Sequence, residues 1–219
     1  MRSFVIYLIL VSFTIIVSSC ESESERIERA YAEEQRRIEH AALQKQREET
    51  EAREHQEREA ARAIQEELER RERELYNQYI NNSLHNGSTP YAYCYGSRNS
   101  YASNGSEINV TTPYNSDVVV IIKKNNSVYR HAYIKAGSIY TFYLSNGTFQ
   151  PFFYYGKGWN PNKFMKETAC GRLTGGFISE ELFGKDSPQY LRNQILSYEL
   201  ILQSDGNFST TPSSPNEAF

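Results

Sequence analysis

The chain has 219 residues, 25.3 kDa and a formal net charge of -3, with a mean hydropathy of -0.66 beside 17 Tyr and 11 Phe. The charge is not spread evenly: residues 21–75 hold 18 Glu and 12 Arg or Lys, whereas residues 86–219 hold 9 acids and 11 bases. A run that charged cannot bury enough apolar surface to offset its conformational entropy, so any core belongs to the last 135 or so residues, which is one small domain.

Residues 1–19 read as a secretory signal: Met1-Arg2-Ser3 is a short positive start, residues 4–17 are apolar apart from Ser12 and Thr14, and Ser18-Ser19 are small. The apolar stretch is shorter than the roughly 20 residues a membrane-spanning helix requires, so cleavage is expected over a signal anchor. Val17-Ser18-Ser19-Cys20 resembles the lipobox of bacterial lipoproteins, with Val in place of the usual Leu. That resemblance implies an acylated Cys20 at a new N-terminus, a lipidated start over residues 20–23, and attachment to a membrane without a spanning helix. Glu21 where inner-membrane lipoproteins carry Asp implies the outer membrane, and Glu21-Ser22-Glu23-Ser24-Glu25 resembles an acidic tether for export to the cell surface. The same acidic residues suit the first turn of a helix in any case.

Residues 24–80 lack Gly and Pro and are dominated by Glu, Arg, Gln and Ala, which predicts a long charged helix or stalk. Pairs such as Glu25/Arg29, Glu33/Arg37, Glu49/Arg53, Glu66/Arg70 and Glu69/Arg73 stand four apart in the favourable orientation, each contributing about 0.2–0.5 kcal/mol. An apolar seam begins at Ile27, Tyr31, Ile38 and Ala41, but Lys45, Glu48 and His55 interrupt it. The later Ala61, Ile64, Leu68 and Leu75 lie out of register with the first set. This favours a monomeric spacer over a weak coiled-coil dimer. Net acidity argues against nucleic-acid partners, and His40 and His55 have no second ligand nearby in sequence.

Asn81-Asn82-Ser83 and Asn86-Gly87-Ser88-Thr89-Pro90 predict a linker over residues 81–90 and a β domain over residues 91–208. Strands are expected at residues 107–112, 117–124, 128–135, 138–144, 148–155 and 194–203, with a possible edge at 207–211. Asn125-Asn126 and Ser145-Asn146-Gly147 mark hairpins. The fold class is therefore mainly β: a small antiparallel β-sandwich preceded by a long charged helix and a signal peptide. The Ser/Thr/Pro-rich residues 209–219 read as a disordered tail. The segments Tyr133-Ile134-Lys135-Ala136-Gly137, Tyr140-Thr141-Phe142, Asn146-Gly147-Thr148 and Phe152-Phe153-Tyr154-Tyr155-Gly156 resemble the transthyretin-like or carboxypeptidase-regulatory class of small sandwiches. With Gly156-Lys157-Gly158-Trp159-Asn160-Pro161 they are also similar to a domain of Gram-negative bacterial lipoproteins. The resemblance covers roughly residues 107–170 and implies a fold and a location; it brings no activity.

Of three cysteines, lipid at Cys20 leaves Cys94 and Cys170 as an even pair in an oxidising compartment, which predicts a disulfide over two buried thiols. Seven Asn-x-Ser/Thr triplets read as turns beside a lipobox. His131 has no nucleophile or carboxylate beside it in sequence, no Gly-rich phosphate loop or metal-spaced His-Glu pair occurs, and neither catalysis nor a cofactor or metal is expected. One stretch offers binding chemistry. Alternation sends Phe152 and Tyr154 to one face and Phe153 and Tyr155 to the other. Trp159, expected in a loop with Asn160, would form with Tyr155 and Lys157 a candidate surface for a glycan or a protein. The competing expectation is a Trp folded back over the sandwich end. The preferred reading is a non-catalytic protein-binding or scaffold lipoprotein, with carbohydrate recognition as the alternative and a hydrolase as a distant third.

Overall fold

The computed structural model describes residues 22–100, 105–201 and 211–219, so the signal segment and Cys20 lie outside the described residues. The chain forms two units, residues 1–68 and 69–219. The described part of the first is helix α1 (Glu23–Tyr79), which continues into the second and buries none of its 57 residues. Its start is a capping box: the Glu25 amide donates to Ser22 Oγ at 3.4 Å, while Glu25 Oε2 accepts the Ser22 amide at 3.2 Å. Glu33–Arg37 and Glu69–Arg73 pair as expected, and Lys45–Glu49, Arg53–Glu57 and Arg70–Glu74 add pairs of the opposite orientation. All are exposed, so the helix draws its stability from many small increments and good helix formers. Ile27, Tyr31, Ile38, Ile64 and Leu68 are exposed on it. Among the described residues, no helix is long and apolar enough to cross a membrane.

The second unit is built on two sheets. The smaller joins β4 (Ile139–Leu144), β1 (Ser106–Thr111) and β8 (Ile195–Glu199), in that order. The larger runs β3 (Ser127–Ile134), β2 (Asp117–Lys124), β5 (Gly147–Thr168), β6 (Gly171–Lys185) and β9 (Thr211–Pro212), with β7 (Gln189–Leu191) on the start of β5. All pairings are antiparallel except β1 with β8, which run parallel from Glu107 opposite Ile195 to Thr111 opposite Glu199. The expected mainly β, antiparallel fold after a long helix is what the chain forms; the one parallel pair joins strands more than eighty residues apart and has no local sequence signal.

Asn125 and Asn126 take φ of 51° and 61° at the β2–β3 hairpin, the left-handed pair that a two-residue turn requires. The hairpin expected at Ser145-Asn146-Gly147 does not form. β4 pairs with β1 and β5 with β2, so these residues cross between sheets. Asn146 serves the crossover by accepting from Ser106 Oγ and from the Asn193 amide, both at 2.9 Å.

The inner face of the large sheet packs on the small one: Val118, Val120, Ile122, Ala132, Ile134, Phe153 and Tyr155 meet Ile108, Val110, Phe142 and Leu144, all buried. Period-two alternation fills the outer face equally: Val119, Ile121, Tyr133, Phe152, Tyr154, Trp159 and Phe177 are also buried. Among the described residues, no third sheet covers them. Residues 82–95 and 211–219 do, and both depart from expectation.

The anticipated linker of residues 81–90 is a strap: the Trp159 amide donates to the Asn82 carbonyl at 2.9 Å, and Gly87 and Ser88 pair with the backbone of Tyr133 on β3 at 2.8 and 2.7 Å. The anticipated disordered tail is docked from Thr211 onward, as β9 and helix α3 (Pro215–Ala218). Its Ser/Pro composition reads as solvated, but Ala218 is fully buried and Phe219 joins the outer core. The edge expected at 207–211 lies outside the described residues except for Thr211.

Candidate functional site

The sequence placed its candidate surface at Tyr155, Lys157, Trp159 and Asn160, and the structure scatters them. Tyr155 belongs to the inner core. Trp159 lies within β5, not in a loop, and is 3% exposed, edge-on to Tyr133 and Phe177 with ring centroids 5.4 and 5.3 Å apart. Asn160 is also buried, its Oδ1 accepting the Asn162 amide at 2.9 Å in an Asx turn that shapes the bulge around Pro161. Lys157 pairs with Glu180 at 2.7 Å on the surface. A sugar ring has no exposed indole to stack on here. Of the four residues, Tyr155, Trp159 and Asn160 are buried and Lys157 stays on the surface, because β5 runs on past Gly156 and Gly158 and its aromatic side chains alternate into two interiors.

Glycine makes that packing possible at two places. Gly158, at φ 71°, lies where a Cβ would come within 2.7 Å of the Ile80 Cα and the Tyr79 carbonyl. Gly175, at φ 109°, leaves room for the Trp159 ring, which a Cβ would meet at 2.7 Å.

The convergent geometry lies instead where the strap and the tail meet over the outer face. Tyr91, fully buried, donates its hydroxyl to the Gly175 carbonyl at 2.8 Å and its amide to His131 Nε2 at 3.1 Å. Tyr93 bonds β6 through the Arg172 carbonyl and the Thr174 amide, at 2.9 and 3.0 Å. Helix α2 (Ala92–Tyr95) then delivers Cys94 to Cys170, bonded as a disulfide with Cα atoms 5.6 Å apart and a sequence separation of 76. The strap is thus pinned at β3 and again at the β5–β6 turn.

Between the strap and the far end of β6 the tail fills a groove. Thr211 and Pro212 pair with Lys185 and Gly184, and the Ser213 amide donates to the Phe183 carbonyl at 3.0 Å. Lys123 Nζ donates to the Glu217 carbonyl at 2.6 Å, and Lys185 Nζ meets the Glu217 carboxylate at 2.7 Å. The Lys185 bond first, and then a bond from the Ser213 hydroxyl at 2.9 Å, hold the Glu217 carboxyl below the usual carboxylate range. Phe219 sets its ring edge-on to Tyr91, with centroids 4.7 Å apart, and parallel to Tyr95, at 6.2 Å.

His131 lies beneath this cluster, 4% exposed. Burial lowers its pKa to about 4, and a bond to the Thr89 backbone opposes the shift only in part. The ring is neutral at neutral pH and acts as acceptor for the strap. Two further buried tyrosines are anchored on carboxylates: Tyr133 donates to Asp117 and Tyr154 to Glu181, which also receives Lys163. Burial first, and then these carboxylates, raise both phenols above the ordinary tyrosine value, so both stay protonated donors. Among the described residues, no three His, Cys, Asp or Glu side chains are grouped to hold a metal.

Tyr91, Tyr95, Lys123, Lys185, Glu217 and Phe219 were missed in the sequence. The available signal was Pro215-Asn216-Glu217-Ala218-Phe219, an acidic residue and an aromatic closing a Ser/Pro segment. No family model, curated protein or solved structure matches the chain.

Proposed function

We propose that this chain is a membrane-tethered, non-catalytic binding or scaffold lipoprotein of the cell envelope, in which lipid on Cys20 anchors, the charged helix spaces and the β domain engages a protein partner. The observation that carries the reading is the contrast within α1 and after it: a 57-residue helix that buries nothing precedes a domain whose sheet is covered on both faces by the domain's own residues. A helix made of exposed charge contributes reach and no core, which is what a spacer requires. The lipobox-like Val17-Ser18-Ser19-Cys20 and the following Glu21 support an outer-membrane position, and the acidic Glu21–Glu25 segment supports display on the cell surface.

The test is fractionation of cells producing the full chain or Cys20→Ala. The variant is expected in the soluble fraction with its β domain intact by circular dichroism, while the native chain sediments with membranes. A folded Cys20→Ala chain that remains membrane-bound would overturn the anchor.

A further inference from the structure

The docking of residues 211–219 has the anatomy of a bound peptide. It adds a two-residue strand to the exposed edge of β6, as peptides do in strand-addition complexes. It presents one acidic side chain to one lysine and the adjoining carbonyl to another, Lys185 and Lys123. It ends with a small residue, Ala218, fully buried, and an aromatic anchor, Phe219, against Tyr91 and Tyr95. The walls of the groove are built by other parts of the chain: the edge by β6, the floor by β5 with Lys123 of β2, and one side by the disulfide-pinned strap that rests on His131. The inner core, by contrast, contains no residue of the tail. Removing the tail would therefore leave the groove's walls in place and uncover an aromatic pocket flanked by two lysines.

We propose that this groove is a peptide-acceptor site that takes the 211–219 segment of a second copy of the chain, with the chain's own segment as the competing occupant. The partner follows from the contacts: the peptide known to satisfy the β6 edge, both lysines and the pocket together is this segment, and a second copy carries it. The proposal deepens the binding reading above and rests on it for the partner class, but not on the lipid.

The test pairs two full-length chains in detergent. The acceptor has residues 211–219 replaced by a Gly-Ser repeat of equal length; the donor keeps the tail but carries Lys123→Glu and Lys185→Glu. Sedimentation velocity is expected to show a one-to-one complex in the mixture beyond any self-association of either chain alone. That complex should be lost when the donor also carries Ala218→Arg and Phe219→Ser. A synthetic nonapeptide of the 211–219 sequence should bind the acceptor, and Lys185→Glu in the acceptor should weaken it at least tenfold. Failure of the nonapeptide to bind a folded acceptor, or binding indifferent to Lys185→Glu, would overturn the proposal. So would an acceptor that cannot fold, since the tail would then be core and not ligand. None of these outcomes bears on the fractionation of Cys20→Ala, so the two readings fail separately.

Discussion

The two faces of the large sheet carry the same kind of side chain and solve burial differently. Phe153 and Tyr155 point inward to a second sheet; Phe152 and Tyr154, one residue away, point outward to a strap and a tail. The inner interface is ladder against ladder, closed by strands that also hold their own hydrogen-bond partners. The outer cover is held by particular contacts: Tyr91 on His131 and Gly175, Cys94 on Cys170, and Glu217 between two lysines. A sheet face can thus be dry without being permanent. Where a cover consists of segments fastened at a few points, it opens at lower free energy than the core beneath it.

Three perturbations probe that difference. The largest effect is expected inside: Phe153→Ala removes a fully buried ring from the sheet-to-sheet core and should destabilise the domain by about 3–5 kcal/mol in chemical denaturation. Next is the fastening of the strap: Cys94→Ser with Cys170→Ser releases a cross-link spanning 76 residues, and the chain-entropy argument gives a loss of about 4 kcal/mol. Comparison of denaturation midpoints with and without the substitutions measures it.

The third is acid. His131 has its folded pKa lowered to about 4 from an ordinary 6.5, so the unfolded chain binds the proton first as pH falls. Its contribution is complete above the ordinary value and is lost between pH 6.5 and 4, about 3 kcal/mol in all. A protonated Nε2 cannot accept the Tyr91 amide, so the loss should show first as loosening of the strap. His131→Gln should flatten the pH dependence in that window, seen in urea midpoints at pH 4 and 7. A slope unchanged by that substitution would remove His131 from the fastening.

Much of this architecture was legible where the signal is local. Alternation sorted residues 152–155 onto their faces, Asn125-Asn126 marked its turn, and the charge of residues 24–80 announced α1. Three things were not. β5 was cut short at residue 155, because Gly156, Gly158 and Pro161 read as loop when they are close approaches and bulges within a 22-residue strand. The parallel β1–β8 pair depends on segments distant in sequence, as does the crossover that replaced a hairpin at Asn146. The groove was missed because its parts come from Tyr91, Lys123, His131, Lys185 and Phe219, which only folding brings together, and because a Ser/Pro-rich composition masked the Glu217-Ala218-Phe219 anchor. Trp159 drew attention for its chemistry, yet its chain neighbours made it core.

The outer cover is fastened, and the inner core is integral. Hydrogen exchange on the native chain at neutral pH tests this difference directly, through the amides of Tyr91 and Ser213, which bond His131 and the Phe183 carbonyl, against those of Val120 and Phe153 in the β2–β5 ladder. The cover amides should exchange through a local opening insensitive to low denaturant, while the ladder amides exchange only with global unfolding. Equal opening free energies with the same denaturant dependence in both sets would contradict the account, making strap, tail and sandwich a single cooperative core.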